Sequence, residues 1–531
     1  MPSRKPKAQK RAAPALPRIF VSIASYRDTE CQWTVKDLFE KARRPERVFA
    51  GICWQFIAAE DADCFEVRTR PEQCRVIEVD ARESRGVCWA RSRIQSLWKG
   101  EEYFFQIDAH SRFVQDWDEI MLEMLRACPS KRAVLSSYPA GYEPPNKLGK
   151  DIVTIILPKE FDDRGLLAFG SRGSPAAEAA AKPTPTPYIG AGTLFAPSAI
   201  IREVPYDPHI YFTGEEITLA ARLWTHGWDI FAPNKVTVYH EYTERPNKRR
   251  HWHDHKLWTE LSDRAVKRVR HLLDGEACKD AKALEDIGRY ALGTQRSLAQ
   301  YEAFAGIDFR RKLIDGKTQD QVEAAMTPEV RAKRVQTKFT EIWRTNAWGS
   351  AETRSGTGST LAQTETLRKR LPEAFAQLGI RTLVDAGCGE LNWTSRITEP
   401  LQLYLGFDVV GEIVTELRRK FESRKNHLFN TADVSRDRLP AADAILCRDV
   451  LTHLSHPLVA DALTLFRNSG SRYLIATTFP RGRNDVIRVG GWQPMDLCAA
   501  PFNLPPPVLT IGESLQNSGK SLGVWTLESL K

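Results

Sequence analysis

Phe104–Phe113 reads FFQIDAHSRF. Tyr103 to Phe105 and Ile107 run into an acid, a small residue and an imidazole, the pattern of a buried strand that delivers Asp108 and His110 to its open end. Side chains two apart on a strand share a face, so carboxylate and ring converge. An oxygen and a nitrogen donor placed together suit a divalent cation, Mn2+ or Mg2+, able to hold a diphosphate while a bond to it breaks. That is the chemistry of sugar transfer from a sugar nucleotide. A plainer reading has Asp108 capping the next turn and His110 packing on Trp117, and the flanking segments weigh against it.

Upstream, Ile19 to Ile23 forms an apolar strand that ends in Ser25, Tyr26, Arg27 and Asp28. A helix over about residues 29–42 and strands at 47–53 and 75–79 follow, an alternation that predicts an α/β sheet covered on both faces, with ligands beyond the carboxyl ends of its strands. Ser25 and Arg27 are therefore candidates for the uracil and ribose of a nucleotide, although a capping turn also explains Ser25 and Asp28. Arg85, Arg91 and Arg93 precede the central strand; Arg91 is the candidate for the diphosphate, whereas Arg93 fits a solvated helix face.

Downstream, residues 165–187 are rich in Gly, Ala and Pro and read as a mobile loop over the active site. Gly190 and Gly192 either let backbone pass close to a sugar or mark a tight turn. Glu215 and Glu216 open a helix, where the dipole favours acids, and one of them is a candidate to orient or deprotonate an acceptor hydroxyl. A strand at 235–240 brings His240 to its end, completing a candidate metal set of Asp108, His110 and His240. His251, His253 and His255 are read as lining a helix start or the acceptor cleft.

Over residues 17–310, IFVSIASYRD, WARSRIQSLW through FFQIDAHSRF, YFTGEEITLAARLWTHGWDIFAP, VYHEYTERP and YALGTQRSLAQYEAFAGIDF resemble the GlcNAc-transferase family of hydroxyproline and related acceptors. The resemblance implies a GT-A fold, UDP-GlcNAc as donor, a divalent cation, retention of anomeric configuration and a glycan or glycoprotein acceptor. It places Asp108, also a nucleotide-sugar contact, and His110 on the metal motif and His240 on a later histidine.

The second half begins a new α/β pattern. Strand 382–384 ends at Asp385, followed by Gly387 and Gly389; Asp408 ends the next strand and Asp433 a third. Glycines let backbone approach a ligand closely, and an acid about twenty residues on can bind both ribose hydroxyls. Asn392 stands where a dinucleotide site would carry a third glycine, which argues against NAD and for S-adenosylmethionine. WGSAETRSGTGS, DAGCGELNW, LGFDVV, CRDVLTHLS, YLIATTF and GGWQPMDLCAAPFNLPPP resemble the Rossmann-like class I S-adenosylmethionine-dependent methyltransferases. By that resemblance Asp385, Gly387, Gly389, Asp408, Asp433 and Val434 bind the cofactor. Asp449 and His453 are the catalytic candidates beside Arg448, with His453 able to take a proton from a sugar hydroxyl; a helix cap and a packed ring explain both as well. Arg354, Ser355 and Gly356 either close over the cofactor or form a flexible linker.

The chain of 531 residues carries a formal charge of +9 and ten cysteines without C-x-x-C pairs. Beyond a basic tail, residues 1–17, the cationic residues are dispersed, which fits nucleotide-type ligands rather than nucleic acid. The tail offers a contact for an anionic membrane face. No apolar run is long enough to span a bilayer, and the cysteines fit reduced thiols in a cytoplasm. The expected organisation is a tail, a GT-A domain at 18–310, a helical linker at 311–345 and a methyltransferase domain at 346–531. The rival expectation is a degenerate, glycan-binding first domain with methyl transfer as the sole activity.

Overall fold

A computed structural model describes residues 16–64, 66–162, 164–243, 249–513 and 519–530, and divides the chain into compact units at Met1–Gly316 and Lys317–Lys531. Residues 1–15 of the basic tail lie outside the described residues. Among the described residues no helix is long and apolar enough to cross a membrane.

The first unit is built on an 8-stranded sheet in the order Thr184–Pro185, Asp229–Ala232, Ala133–Ser136, Thr193–Pro197, Tyr103–Asp108, Ile19–Tyr26, Val48–Phe56, Cys74–Asp80. From Tyr103–Asp108 to Cys74–Asp80 all neighbours are parallel. Period-two alternation gives this sheet two buried faces. Ile19, Val21, Ile23, Phe105 and Ile107 pack on one face beneath helices Cys31–Glu40 and Trp117–Ala127. Phe20, Phe104 and Leu194 pack on the other with Ala90, Ile94 and Ile217 from helices Val87–Gln95 and Glu215–Thr225. Each of the Val, Leu, Ile and Phe side chains among these contributes roughly 1.5–3 kcal/mol by leaving water.

The sheet is mixed rather than wholly parallel, because Thr193–Pro197 runs antiparallel to both neighbours. That strand is too short, and too close to a proline, to show a period in sequence. The expected loop at 165–187 also differs. Leu167–Pro175 is the second strand of an antiparallel hairpin with Ile152–Phe161, anchored by buried Leu166 and Leu167. Its outer half is exposed on both faces, so no alternation marks it.

A separate 4-stranded sheet is ordered Ser111–Phe113, Val238–Glu241, Ala140–Glu143, Lys147–Leu148. Its register sets His240 opposite Ser111, just past the end of the central strand.

The second unit carries a 7-stranded sheet in the order His427–Thr431, Leu403–Asp408, Thr382–Ala386, Ala444–Cys447, Tyr473–Thr478, Ser521–Thr526, Leu509–Gly512. Parallel pairing runs from the first of these to Tyr473–Thr478; Ser521–Thr526 is antiparallel to both its neighbours. Strand order reverses beside Thr382–Ala386, which opens a crevice at its carboxyl end. The expected linker at 311–345 is not a free connector. Helix Pro328–Thr345, capped by Thr327, buries Val335 against Val384 and Ile445 of this unit's core, and it belongs to the second unit. A charged helix that buries one narrow stripe looks like a connector in sequence.

Candidate active sites

The parallel strands of the first unit end at a cavity of about 1240 Å3, lined by Ala24, Tyr26, Arg27, Asp28, Asp108, His110 and His240 among others. One ligand atom from each of Asp108, His110 and His240 lies within 4.8 Å of the other two. His240 Nε2 is 3.1 Å from Asp108 Oδ2, the two imidazoles face each other edge-on at 4.6 Å, and His110 Nδ1 is 2.7 Å from Asp28 Oδ2. One carboxylate and two oriented imidazoles are a fitting donor set for a divalent cation.

Surrounding residues fix Asp108. Arg91 is buried and donates to its Oδ1 at 2.7 Å. Burial disfavours the ionised carboxyl, but the His240 hydrogen bond and the charges of Arg91, His240 and His110 outweigh it and hold its pKa well below the carboxylate range. At Gly192 an added Cβ would sit 2.8 Å from Asp108 Oδ2 and 3.8 Å from His240 Cδ2. For a divalent cation held by this donor set, Gly192→Ala is expected to weaken binding about tenfold by pushing the carboxylate aside; calorimetric titration with Mn2+ as the probe measures it, and equal affinity in the two proteins would refute it.

The two acids of the helix start divide. Glu215 is paired with Arg91 and accepts the Tyr206 hydroxyl at 2.6 Å, so it supports Asp108 from behind. Glu216 faces a smaller adjoining cavity of about 340 Å3 that also contains Asp108, Gly192, His240 and Tyr242. Tyr138 and the Ala191 N–H each donate to Glu216 at 2.8 Å, while burial lifts its carboxyl to about 7.

Several expected ligand contacts fall elsewhere. Ser25 is fully buried and does not line the cavity, because it shares the strand parity of Ile19, Val21 and Ile23, which face the core. Arg27 reaches the cavity wall, yet its guanidinium is held by Glu60, Asp61 and Asp254. Arg91 lines the smaller adjoining cavity, with its guanidinium paired to Glu215 and Asp108. Arg85 and Arg93 are exposed and outside the cavity lining. His251 and His253 line the cavity wall, whereas His255 bonds the Ala81 carbonyl at 2.8 Å.

In the second unit a cavity of about 620 Å3 sits at the reversal of strand order and is lined by Asp385, Gly387, Gly389, Asp408, Asp433, Val434, Asp449 and His453. Gly387 and Gly389 have φ of 93° and 54°. The Gly389 and Val410 N–H groups donate to Asp408 at 3.0 and 2.9 Å, which orients its carboxylate. Asp433 Oδ1 accepts from Ser435, whereas its buried Oδ2 has no partner among the described residues. A buried acceptor left in this way fits an amino group of a ligand.

Asp385 accepts the Tyr404 hydroxyl at 2.6 Å, and burial raises its carboxyl to about 7. The folded unit then holds a proton that the unfolded chain, titrating near 3.8, releases. Stability from this group is complete below pH 3.8 and is lost as the pH rises through 7, by roughly 4 kcal/mol at most. Asp385→Asn is expected to flatten that fall, read as the melting temperature of the second unit between pH 5 and 8.

Asp449 is held by Lys520 at 2.5 Å and Arg448 at 3.1 Å. Burial opposes its charge, but these two cations keep its pKa below the usual range, so it is a fixed anion rather than a base. His453 Nδ1 lies 2.5 Å from the Gly491 carbonyl and its ring stacks on Trp348. Burial lowers its pKa, and because a carbonyl only accepts, the proton of the neutral ring sits on Nδ1. The segment around Arg354 is docked: Thr353 Oγ1 and the Arg354 N–H bond Glu390 at 2.6 and 2.7 Å, and Ser355 Oγ accepts the Glu390 N–H at 3.3 Å. These bonds place the segment beside the glycine turn at Gly389 and Glu390.

The family description "Glycosyltransferase (GlcNAc)" matches residues 18–74 and 65–311, more than half of the chain. The chain belongs to the GlcNAc glycosyltransferase family. No curated protein sequence matches it. Among solved structures, GalNAc-T7 with UDP, GalNAc and Mn2+ is similar at 15% identity and a TM-score of 0.34, over 55% of this chain and 54% of that one. The methyltransferase domain of bacterial CtHen1-C is similar at 17% and 0.25, over 32% and 98%. Magnesium protoporphyrin IX methyltransferase from Synechocystis PCC 6803 with bound SAH is similar at 16% and 0.23, over 29% and 73%. At such low TM-scores these likenesses add nothing to the geometry above.

For a GlcNAc glycosyltransferase the second unit is an addition with its own cavity. Sequence reasoning missed Gly192 as a contact of the metal-type cluster, although it noted the glycine, and it missed Tyr138, Tyr404, Trp348 and Lys520. Lys520 lies 71 residues beyond the acid it pairs with, and nothing local marks it.

Proposed function

We propose that the first unit transfers GlcNAc from UDP-GlcNAc to an acceptor hydroxyl with a divalent cation, and that the second transfers a methyl group from S-adenosylmethionine to a sugar hydroxyl of the same product. The observation that carries the first half is the convergence of Asp108, His110 and His240 within 4.8 Å where a large and a small cavity meet. A cation held by those three would supply charge stabilisation to the departing pyrophosphate. Arg91, Glu215 and Gly192 keep Asp108 in place. Glu216, with a carboxyl near 7, exists in both protonation states at neutral pH and can exchange a proton with a sugar hydroxyl in the smaller cavity.

For the second half, support comes from the paired glycines at positive φ, from the acids at three strand ends and from the partnerless Asp433 Oδ2. Asp408 suits a ribose, Asp433 an adenine amino group, and Val434 packs on the cavity wall. With its Nδ1 proton fixed on Gly491, His453 has a lone pair on Nε2 for an acceptor proton as the oxygen gains its methyl group. All ten cysteines are free thiols, which supports a cytoplasmic setting.

Released UDP from UDP-GlcNAc with Mn2+, abolished by EDTA, tests the first activity, and label from methyl-labelled S-adenosylmethionine tests the second. Mass spectrometry of products from both donors tests their coupling. If methyl uptake is the same on bare and glycosylated acceptor, the shared-product reading is wrong.

A further inference from the structure

The wall and rim of the first unit's cavity carry aromatic side chains to which the proposed sugar-transfer chemistry above assigns no role. Trp33, Phe212 and Tyr242 are 50%, 56% and 54% exposed, and all three line the cavity that holds Asp108, His110 and His240. They come from separate places in the chain: Trp33 from helix Cys31–Glu40, Phe212 from the turn before helix Glu215–Thr225, and Tyr242 from just beyond strand Val238–Glu241. Trp252 joins them, edge-on to Phe212 at 6.3 Å. Large aromatic rings left in water are costly, and a group of them around one opening marks a surface that something covers.

The cavity is also large. At about 1240 Å3, with a further 340 Å3 adjoining, it exceeds what a single ligand of ordinary size fills, so there is space for an acceptor beside a donor. The same wall offers Gln32, Asp63, Asp254 and Arg249, groups that donate or accept hydrogen bonds and carry both signs of charge. An acceptor that fits must show flat apolar faces and, at their edges, many hydroxyls. A pyranose does so: its axial C–H groups form a weakly positive face that stacks on the negative face of an aromatic ring, and its equatorial hydroxyls point to the polar side chains. A strongly charged polymer does not fit a wall of mixed sign.

We infer that the acceptor is a saccharide chain, docked on Trp33, Phe212 and Tyr242 so that its terminal hydroxyl reaches the Asp108–His110–His240 cluster. This rests on the reading of the first unit as the sugar-transferring half and adds the acceptor class to it. Tyr242 has a second contact, with the His240 ring at 4.4 Å, which ties acceptor docking to the cluster.

The test offers full-length protein, UDP-GlcNAc and Mn2+ to a panel of neutral oligosaccharides and to a panel of serine, threonine and hydroxyproline peptides. Transfer is scored relative to donor hydrolysis in the same tube. Oligosaccharides are expected to be labelled, and Trp33→Ala and Phe212→Ala are each expected to lower the transfer-to-hydrolysis ratio tenfold or more. Labelling of peptides alone, or unchanged ratios in both variants, overturns the inference. Saturation-transfer NMR of the same oligosaccharides without donor separates it from the donor assignment. Ring-proton saturation that disappears in Trp33→Ala supports saccharide docking even if UDP-GlcNAc is not used. Its absence from the wild-type protein refutes docking whatever the donor.

Discussion

Asp108→Asn is expected to lower sugar transfer at least about a hundredfold while methyl transfer stays within about a factor of two. The substitution keeps volume and leaves an oxygen for Arg91, yet removes the one negative charge among the three donors that meet within 4.8 Å. Losing it should cost Mn2+ affinity by a factor of about 10–100 or more. The alanine variant would be a poorer probe. Arg91 is buried, and stripping away the carboxylate breaks a buried ion pair, an effect of about 3–5 kcal/mol that confuses folding with catalysis. Asparagine avoids part of that, because its amide oxygen can still accept from Arg91 and no cavity is left, whereas the Glu215 pair persists in either variant. UDP release, Mn2+ titration and a thermal melt on one preparation check all three parts. Full sugar transfer by a well-folded Asp108→Asn protein would remove the cluster from the reaction.

Gly387→Ala is expected to produce the opposite pattern, with S-adenosylmethionine binding weakened at least tenfold and UDP release unchanged. Its φ of 93° is costly for any residue with a Cβ, and that atom would lie 2.2 Å from Val450 Cγ2. Something in the cavity wall must then move, at a cost of about 1–3 kcal/mol. Gly379→Ala is the control. It has φ of 66° at the end of helix Glu365–Leu378 and nothing within 4 Å, so it shares the backbone strain and leaves the cavity alone. If calorimetry finds the same cofactor affinity in the Gly387 variant as in the control, the glycine turn does not bind the cofactor.

The residues that could be read directly were those whose placement follows from local periodicity. Asp108 ends a strand whose alternate residues are buried on opposite faces, and Asp385 and Asp408 lie at the ends of strands recognisable as short apolar runs, whereas the strand before Asp433, HLFNT, is half polar. Ser25 was also within reach. It has the parity of Ile19, Val21 and Ile23, and counting by twos would have turned it inward. Glu215 and Glu216 were not separable, since adjacent residues on a helix start differ only in what lies opposite them. Buried Arg91 meets Glu215, while Tyr138 and the Ala191 N–H meet Glu216. The strand at 167–175 was misread as loop because its outer half is exposed and imposes no period, whereas the helix at 328–345 was legible as a helix but buries too narrow a stripe to show which unit it packs into.

By itself, then, the amino-acid order determined the alternation of strands and helices, the division into two α/β halves and the chemical character of each strand end, because these depend on hydrophobic patterns within a few residues. Only the tertiary structure decided that Gly192 abuts Asp108, that buried Arg91 pairs with both Asp108 and Glu215, and that Lys520 neutralises Asp449. Those pairings depend on sheet register and on the low dielectric of a closed site, which act between segments that no local pattern links.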